Sequence, residues 1–109
     1  MRRLLVLTLA MASGGCEAIP LPEDKAEYAG HWKGPDVDLV IEPSGQVQFK
    51  KLQGKGQVQI SGPITQWIDE DFVVGVMVMK TKFDVSEPPH LAGEAWVMTV
   101  DGVELLRQP

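Results

Sequence analysis

Side chains that could perform catalysis or bind a metal are few and widely spaced in this 109-residue chain. His31 and His90 are its two histidines, and neither belongs to an H-x-H or H-x-x-H pair. A zinc site needs three or four ligands, usually supplied in closely spaced pairs. The sequence has no G-x-S-x-G nucleophile motif, and no Walker pattern surrounds Gly54-Lys55-Gly56. We therefore predict no catalytic residue, no metal site and no cofactor.

The carboxylates are numerous, but their spacing favours surface roles. Asp69-Glu70-Asp71 lacks the spacing of a calcium loop and is predicted to be a solvated turn. Asp36 and Asp38 lie on one face of a predicted strand and could pair for acid–base chemistry. Lys50 faces Asp38 in the hairpin register derived below, which favours a surface ion pair instead.

Cys16 is the only cysteine, and the segment before it has three parts. Arg2 and Arg3 are basic, residues 4–12 are apolar except for Thr8, and residues 13–15 are small. This order is typical of an export signal. The apolar run is shorter than the roughly 20 residues of a transmembrane helix. An unpaired cysteine in an exported protein then requires a chemical role.

The motif Ser13-Gly14-Gly15-Cys16 resembles the signals of bacterial lipoproteins. In that family two small residues precede an invariant cysteine, while Ser13 stands where an apolar residue is usual. The resemblance implies cleavage before Cys16 and acylation of the cysteine, for instance with palmitate. It also implies a cell-envelope location, at the outer membrane if the source has two membranes. The alternative is an ordinary secretory signal cut after Ala10-Met11-Ala12.

The charge balance limits the partners of the chain. Its net charge is −5, and removal of Arg2 and Arg3 with the signal would make the remainder more acidic. This argues against nucleic-acid binding and against a polybasic membrane-binding surface. The predicted partners are a membrane, through the lipid on Cys16, and an envelope protein or a small apolar ligand.

This interpretation divides the chain into three segments. Residues 1–15 are the predicted signal peptide, and residues 16–27 are the lipidated cysteine and a proline-punctuated tether. Residues 28–109 are of a length that forms one domain.

Two turns predict hairpins with defined registers. Glu42-Pro43-Ser44-Gly45 follows an alternating run and places Leu39 opposite Phe49. Asp101-Gly102 is a strong two-residue hairpin signal and places Met98 opposite Leu105. The same register brings Arg107 towards the ring of Trp96.

Further strand-like runs separate these hairpins. Residues 57–60 and 64–68 are short candidates, and residues 72–79 form an apolar run typical of a central strand. Residues 86–93, which contain Pro88-Pro89, are predicted to be a loop. The spacing predicts an all-β fold, a small antiparallel barrel or sandwich of about seven or eight strands after the signal segment.

Gly30-His31-Trp32 resembles the G-x-W opening of calycin-type barrels such as lipocalins. In that family the motif starts the first strand and the tryptophan closes the base of the barrel. The resemblance implies a ligand-binding barrel, whereas the residues alone favour Trp32 as an ordinary core aromatic.

Trp67, Met77 and Met79 are further candidates for apolar binding. Met77 and Met79 share one face of the predicted strand, which favours core packing over an adaptable binding surface. Together with Trp32, these residues form the predicted ligand-binding set.

Three functions remain open. The first is a non-enzymatic, lipid-anchored binding or structural domain of the envelope. The second is a calycin-like carrier, which would need an apolar cavity of roughly 300 Å³. The third is an inhibitor of an envelope hydrolase such as lysozyme, with a protruding loop at residues 69–71 or 87–90.

Overall fold

A computed structural model of the protein describes residues 19–109. Over this range the chain forms one 3₁₀ helix, Glu23–Tyr28, and nine strands. The strands are β1 (Gly30–Gly34), β2 (Val37–Ile41), β3 (Gln46–Gln53), β4 (Gly56–Ile68), β5 (Asp71–Val76), β6 (Met79–Phe83), β7 (Val85–Ala92), β8 (Ala95–Val100) and β9 (Val103–Arg107). The predicted all-β antiparallel fold is confirmed, with nine strands rather than seven or eight.

The strands form one antiparallel sheet in the order β6-β5-β4-β3-β2-β1-β9-β8-β7, and this sheet curls into a half-barrel. The first half of β4 pairs with β3 and its second half pairs with β5, with a register shift between Ile64 and Gln66. Only Asp84 separates β6 from β7, although these strands pair with β5 and β8 at opposite edges of the sheet. The chain therefore changes partners at Asp84 and links the two edges.

Hydrogen bonds stabilise the junction between β6 and β7 at Asp84. The backbone N–H of Val85 donates to Asp71 Oδ1 at 2.6 Å. The N–H of Asp84 donates to Asp101 Oδ1 at 2.9 Å, and the N–H of Asp101 donates back to the Asp84 carbonyl at 2.7 Å. The start of β5 and the β8–β9 turn thus meet at the point where the strand changes partners.

Both predicted hairpin registers are confirmed. Leu39 lies opposite Phe49 in the β2–β3 hairpin, and Met98 lies opposite Leu105 in the β8–β9 hairpin. Asp101 and Gly102 have φ values of 50° and 82°, the left-handed conformation that this two-residue turn requires.

The predicted continuous strand over residues 72–79 is wrong. Val76 pairs with Met79, so Met77 and Val78 form a turn between β5 and β6. Met77 adopts a left-handed φ of 56°, a conformation usually taken by glycine or asparagine. The sequence carries no turn signal at this point, because both turn residues are large and apolar.

Three other local predictions are also corrected. Residues 86–93 are mostly strand, because Pro88-Pro89 falls within a register shift of the edge strand β7, where missing N–H donors are tolerated. Residues 57–60 and 64–68 belong to the single long strand β4. Asp36 lies in the β1–β2 turn with a φ of 62°, so it does not share a strand face with Asp38.

Side chains from all parts of the sheet fill its concave interior. The largest fully buried side chains are Trp32, Phe72, Phe83, Leu39, Ile41, Ile64, Met98 and Leu105. The ring centroids of Phe49 and Phe83 lie 4.9 Å apart, which shows that β6 packs across β3. Burial of this apolar surface is the main favourable contribution to folding.

The close packing of β5 on β4 depends on Gly62. A Cβ atom at this position would overlap the carbonyl oxygen of Gly75 and lie 3.1 Å from Val76 Cγ2. Glycine therefore allows the backbone of β5 to rest directly on β4.

We expect Gly62→Ala to lower the free energy of unfolding by about 1–3 kcal/mol, because the added methyl group forces the two backbones apart. Urea denaturation followed by tryptophan fluorescence measures the change. Gly56→Ala is the matched control, since the nearest atom to its Cβ position is the Gln53 carbonyl oxygen at 4.0 Å. Equal stability of the two variants would contradict a steric role for Gly62.

Candidate functional site

The predicted lipidation site, Cys16, lies outside the described residues, but the segment that follows it from Ile19 onward packs on the barrel. The Ile19 carbonyl packs against Gly45 in the β2–β3 turn, and the N–H of Leu21 donates to the Pro43 carbonyl at 3.0 Å. Most of the predicted tether is therefore seated on the domain. We call this end of the barrel, formed by the β2–β3 turn and the 3₁₀ helix, the anchor end.

Trp32 is a core residue that ties β1 to the 3₁₀ helix. Its side chain is 0 % exposed, and its Nε1–H donates to the Tyr28 carbonyl at 3.0 Å. Gly30 is the first residue of β1. A Cβ at Gly30 would lie 3.1 Å from Arg107 Nε, so the G-x-W spacing leaves room for the arginine beside the indole.

Arg107 joins the last strand to the start of the domain. Its guanidinium carbon lies 4.9 Å from the centroid of Trp32 and 4.8 Å from that of Trp96, so the predicted contact with Trp96 is confirmed. The Nη2 group donates to the Glu27 carbonyl. Nε is buried and has no hydrogen-bond acceptor among residues 19–109. The indole faces stabilise this cation through the cation–π interaction.

A buried cation, Lys25, fixes the 3₁₀ helix to the β4–β5 turn. Its Nζ donates to the Asp69 carbonyl at 2.8 Å and to Glu70 Oε1 at 3.3 Å. It also lies 5.1 Å from the ring centroid of Trp67, whose ring meets that of Tyr28 edge-on at 4.9 Å. The β4–β5 turn predicted from the acidic triplet is confirmed, and its first two residues are held against the anchor end.

Tyr28 and Glu70 each shift the pKa of the other. The Tyr28 hydroxyl donates to Glu70 Oε1 at 2.9 Å. This hydrogen bond and the one from Lys25 lower the pKa of the Glu70 carboxyl below its usual range. Burial and the neighbouring Glu70 carboxylate raise the pKa of the Tyr28 phenol.

Two adjoining clefts lie on the outer face of strands β1 to β4. One has a volume of about 320 Å³ and is lined by His31, Asp38, Gln48, Lys50, Gln59 and Ser61, among others. The other has a volume of about 340 Å³ and shares Asp38 and Lys50 with the first. Their walls present imidazole, amide, ammonium and carboxylate groups, which suit a polar ligand.

The ion pair at Asp38 differs from the prediction. Lys50 lies opposite Asp38 in the register, as predicted. The carboxylate nevertheless binds across to β1, with Oδ1 at 2.6 Å from His31 Nε2 and Oδ2 at 3.8 Å from Lys33 Nζ. Lys50 is thereby left facing the clefts.

The β5–β6 turn exposes three consecutive apolar residues. Met77, Val78 and Met79 are 96 %, 94 % and 65 % exposed. The prediction that Met77 and Met79 fill the core is wrong, because the chain reverses between them. We call residues 77–79 the hairpin tip.

The 15 acidic residues are unevenly distributed along the sequence. None lies between residues 43 and 68 or between residues 72 and 83, which contain β3, β4, most of β5 and β6. Five of the ten basic residues lie in these stretches: Lys50, Lys51, Lys55, Lys80 and Lys82. Half of the sheet is therefore basic in a chain of net charge −5. The spacing of carboxylates in the sequence could have revealed this polarity.

The predicted ligand-binding residues do not form one site. Trp32 and Trp67 both pack near Tyr28 at the anchor end, whereas Met77 and Met79 lie at the hairpin tip. Residues 19–109 contain no group of three His, Cys, Asp or Glu side chains placed to hold a metal ion. Within the same range no helix is long and apolar enough to cross a membrane.

Comparison of the chain with known protein families, with curated proteins and with solved structures finds no match.

We expect Glu70→Gln to flatten the pH dependence of stability between about pH 6 and pH 3. Because the folded-state pKa of Glu70 is lowered, the unfolded chain takes up a proton at higher pH than the folded protein does. The stabilisation of the folded state by Glu70 is therefore present above the pKa that Glu70 has in the unfolded chain, and it is lost as the pH falls. Urea unfolding at a series of pH values measures it.

Glu94→Gln, which changes an exposed carboxylate in the β7–β8 turn, is the matched control. It should retain the acid-induced loss of stability seen in the unsubstituted protein. If both variants lose stability equally on acidification, the contacts of Glu70 with Tyr28 and Lys25 do not contribute.

Proposed function

We propose that the protein is a non-enzymatic binding domain of the bacterial cell envelope, held at a membrane by lipid on Cys16. The charged, apolar and small-residue order of residues 1–15 supports export, and the unpaired Cys16 supports acylation. A source with two membranes would place the protein at the outer membrane.

The observation that carries the binding role is the pair of adjoining clefts on the outer face of β1 to β4. They offer about 320 and 340 Å³ of accessible space beside Asp38 and Lys50. Fixed polar groups that converge on a cleft are the usual basis of specific recognition. We infer that the partner is polar and binds this outer face.

Because the concave interior of the sheet is filled with side chains, the structure favours binding at the outer surface over a calycin-like carrier. Trp32, Phe72, Phe83 and Met98 are buried within the concave side of the sheet and occupy the space that an apolar ligand would need. The clefts described above open to solvent and are lined largely by polar side chains.

The positions of the acidic loops weigh against the lysozyme-inhibitor alternative. Asp69 and Glu70 are hydrogen-bonded to Lys25 of the 3₁₀ helix, so this turn is held against the domain. Residues 87–90 lie within strand β7. The hairpin tip, by contrast, is exposed but apolar.

Mass spectrometry of the protein purified from membranes tests the anchor. The mature chain should begin at Cys16 and carry a diacylglyceryl group in thioether linkage to its sulfur. Cys16→Ala should lose this adduct, and Gly15→Ala, which keeps a small residue before the cysteine, should retain it. An unmodified Cys16 thiol would overturn the proposed anchor.

Photo-crosslinking in intact cells tests the outer face. A benzophenone side chain in place of Gln48, which lines the first cleft, should yield a cross-linked species. The same group in place of Gln66, an exposed glutamine of β4 that lines neither cleft, should not. Equal cross-linking at the two positions, or none at either, would contradict the proposed binding surface.

A further inference from the structure

The hairpin tip is a continuous apolar surface with no covering group among the described residues. Met77 and Val78 are almost fully exposed, and Met79 is about two-thirds exposed. Runs of three exposed apolar residues are avoided on protein surfaces unless they have a function. The left-handed φ of Met77 adds backbone strain, since glycine would adopt it more readily.

Backbone contacts link the N-terminal segment to the strands that carry the tip. The Ile19 carbonyl packs on Gly45, whose own carbonyl accepts a hydrogen bond from Ile64 N at 2.8 Å. Two residues earlier in β4, Gly62 packs against the backbone of Gly75. This series of contacts leads from the N-terminal segment to the last residues of β5, which are directly followed by the tip.

Cys16 precedes Ile19 by three residues, which span at most about 11 Å when fully extended. A lipid on Cys16 therefore keeps the bilayer surface close to the anchor end of the barrel. Ile19 is itself apolar and well exposed, so it is compatible with the same apolar environment.

The charge around the tip matches an anionic lipid surface. Residues 72–83 contain no carboxylate, and the exposed Lys80 directly follows the tip. Lys82 lies 3.7 Å from Asp71 and 3.5 Å from Asp84, which reduces its availability. A short apolar projection beside a lysine is suited to the boundary between headgroups and acyl chains.

We propose that the hairpin tip inserts into the interfacial layer of the membrane that holds the lipid on Cys16. This inference rests on the proposed lipid anchor and adds a second contact with the same bilayer. Two contacts fix the orientation of a domain that a flexible lipid attachment alone leaves free to rotate. Methionine suits this role, because its flexible side chain adapts to an irregular apolar medium.

The test uses the lipidated protein reconstituted into phosphatidylcholine vesicles that contain phosphatidylglycerol. Acylation blocks the thiol of Cys16, so a cysteine introduced by Val78→Cys is the single site for an environment-sensitive fluorophore. Glu104→Cys is the matched control, because this exposed residue lies on β9 in the acidic half of the sheet. Quenching by lipids with a nitroxide on the acyl chain reports contact with the bilayer.

Quenching should be several-fold stronger at position 78 than at position 104. Adding Met77→Asp and Met79→Asp to the Val78→Cys protein should reduce it to the control level, since carboxylates resist transfer into lipid. These side chains are exposed, so circular dichroism of the variants should be unchanged.

Three results would overturn the inference. Equally weak quenching at the two positions, on protein whose acyl chains mass spectrometry confirms, would refute tip insertion and leave the anchor intact. A probe at position 78 that is shielded from water but not quenched by lipid would show that a second copy of the chain covers the tip. An unmodified Cys16 would refute the anchor, and this inference with it.

Discussion

The backbone of β5 rests on β4 at Gly62, and the shape of the domain depends on this contact. Beyond it, a register shift between Ile64 and Gln66 turns β4 from its partner β3 towards its partner β5. A side chain at Gly62 would occupy the space of the Gly75 carbonyl. The close approach brings β6 over β3, so that Phe83 meets Phe49 and the concave side of the sheet is filled. It also determines where the hairpin tip leaves the domain.

Two cations close the anchor end, and each combines a carbonyl acceptor with aromatic faces. Lys25 belongs to the 3₁₀ helix and reaches the β4–β5 turn, whereas Arg107 belongs to the last strand and reaches the 3₁₀ helix. A buried charge is costly without such partners. The Nε of Arg107 has no acceptor among residues 19–109, which lowers the stability, and the cation–π contacts with the two indoles offset this cost. The first and last segments of the described chain are consequently tied together without a disulfide.

The fold could be predicted where local chemistry determines it. The Pro-Ser-Gly and Asp-Gly turns set two registers correctly, because turn geometry fixes which residues face each other. The sequence does not predict the β5–β6 turn, since Met77 and Val78 have neither the flexibility nor the polarity that mark turns in sequence. Strand β7 shows the opposite case, because Pro88-Pro89 is a loop signal that lies within a strand. Two prolines are tolerated there because β7 is an edge strand with an irregular register, and sequence does not reveal which strand is an edge.

The candidate sites were less predictable than the strands, because they depend on contacts between distant segments. Trp32 and Trp67 could be identified as aromatic candidates, but nothing local indicates that Lys25 and Arg107 would pack on them. Asp38 was correctly paired in register with Lys50, yet its carboxylate turns towards His31 on the other neighbouring strand. Periodicity predicts the face of a side chain, and it does not predict which of two flanking strands the side chain contacts.

The local charge around the hairpin tip differs from the net charge of the protein, and this difference matters at an anionic lipid surface. Net charge describes the interaction of a protein with such a surface only at distances beyond its own dimensions. At physiological ionic strength the screening length is about 8 Å, so only charges close to the bilayer contribute strongly. Carboxylates are absent from β3, β4, β6 and most of β5, and Asp71 and Asp84, which flank this region, lie close to Lys82 and not beside Lys80 in the sequence. A domain that approaches lipid with the hairpin tip therefore presents Lys80 first.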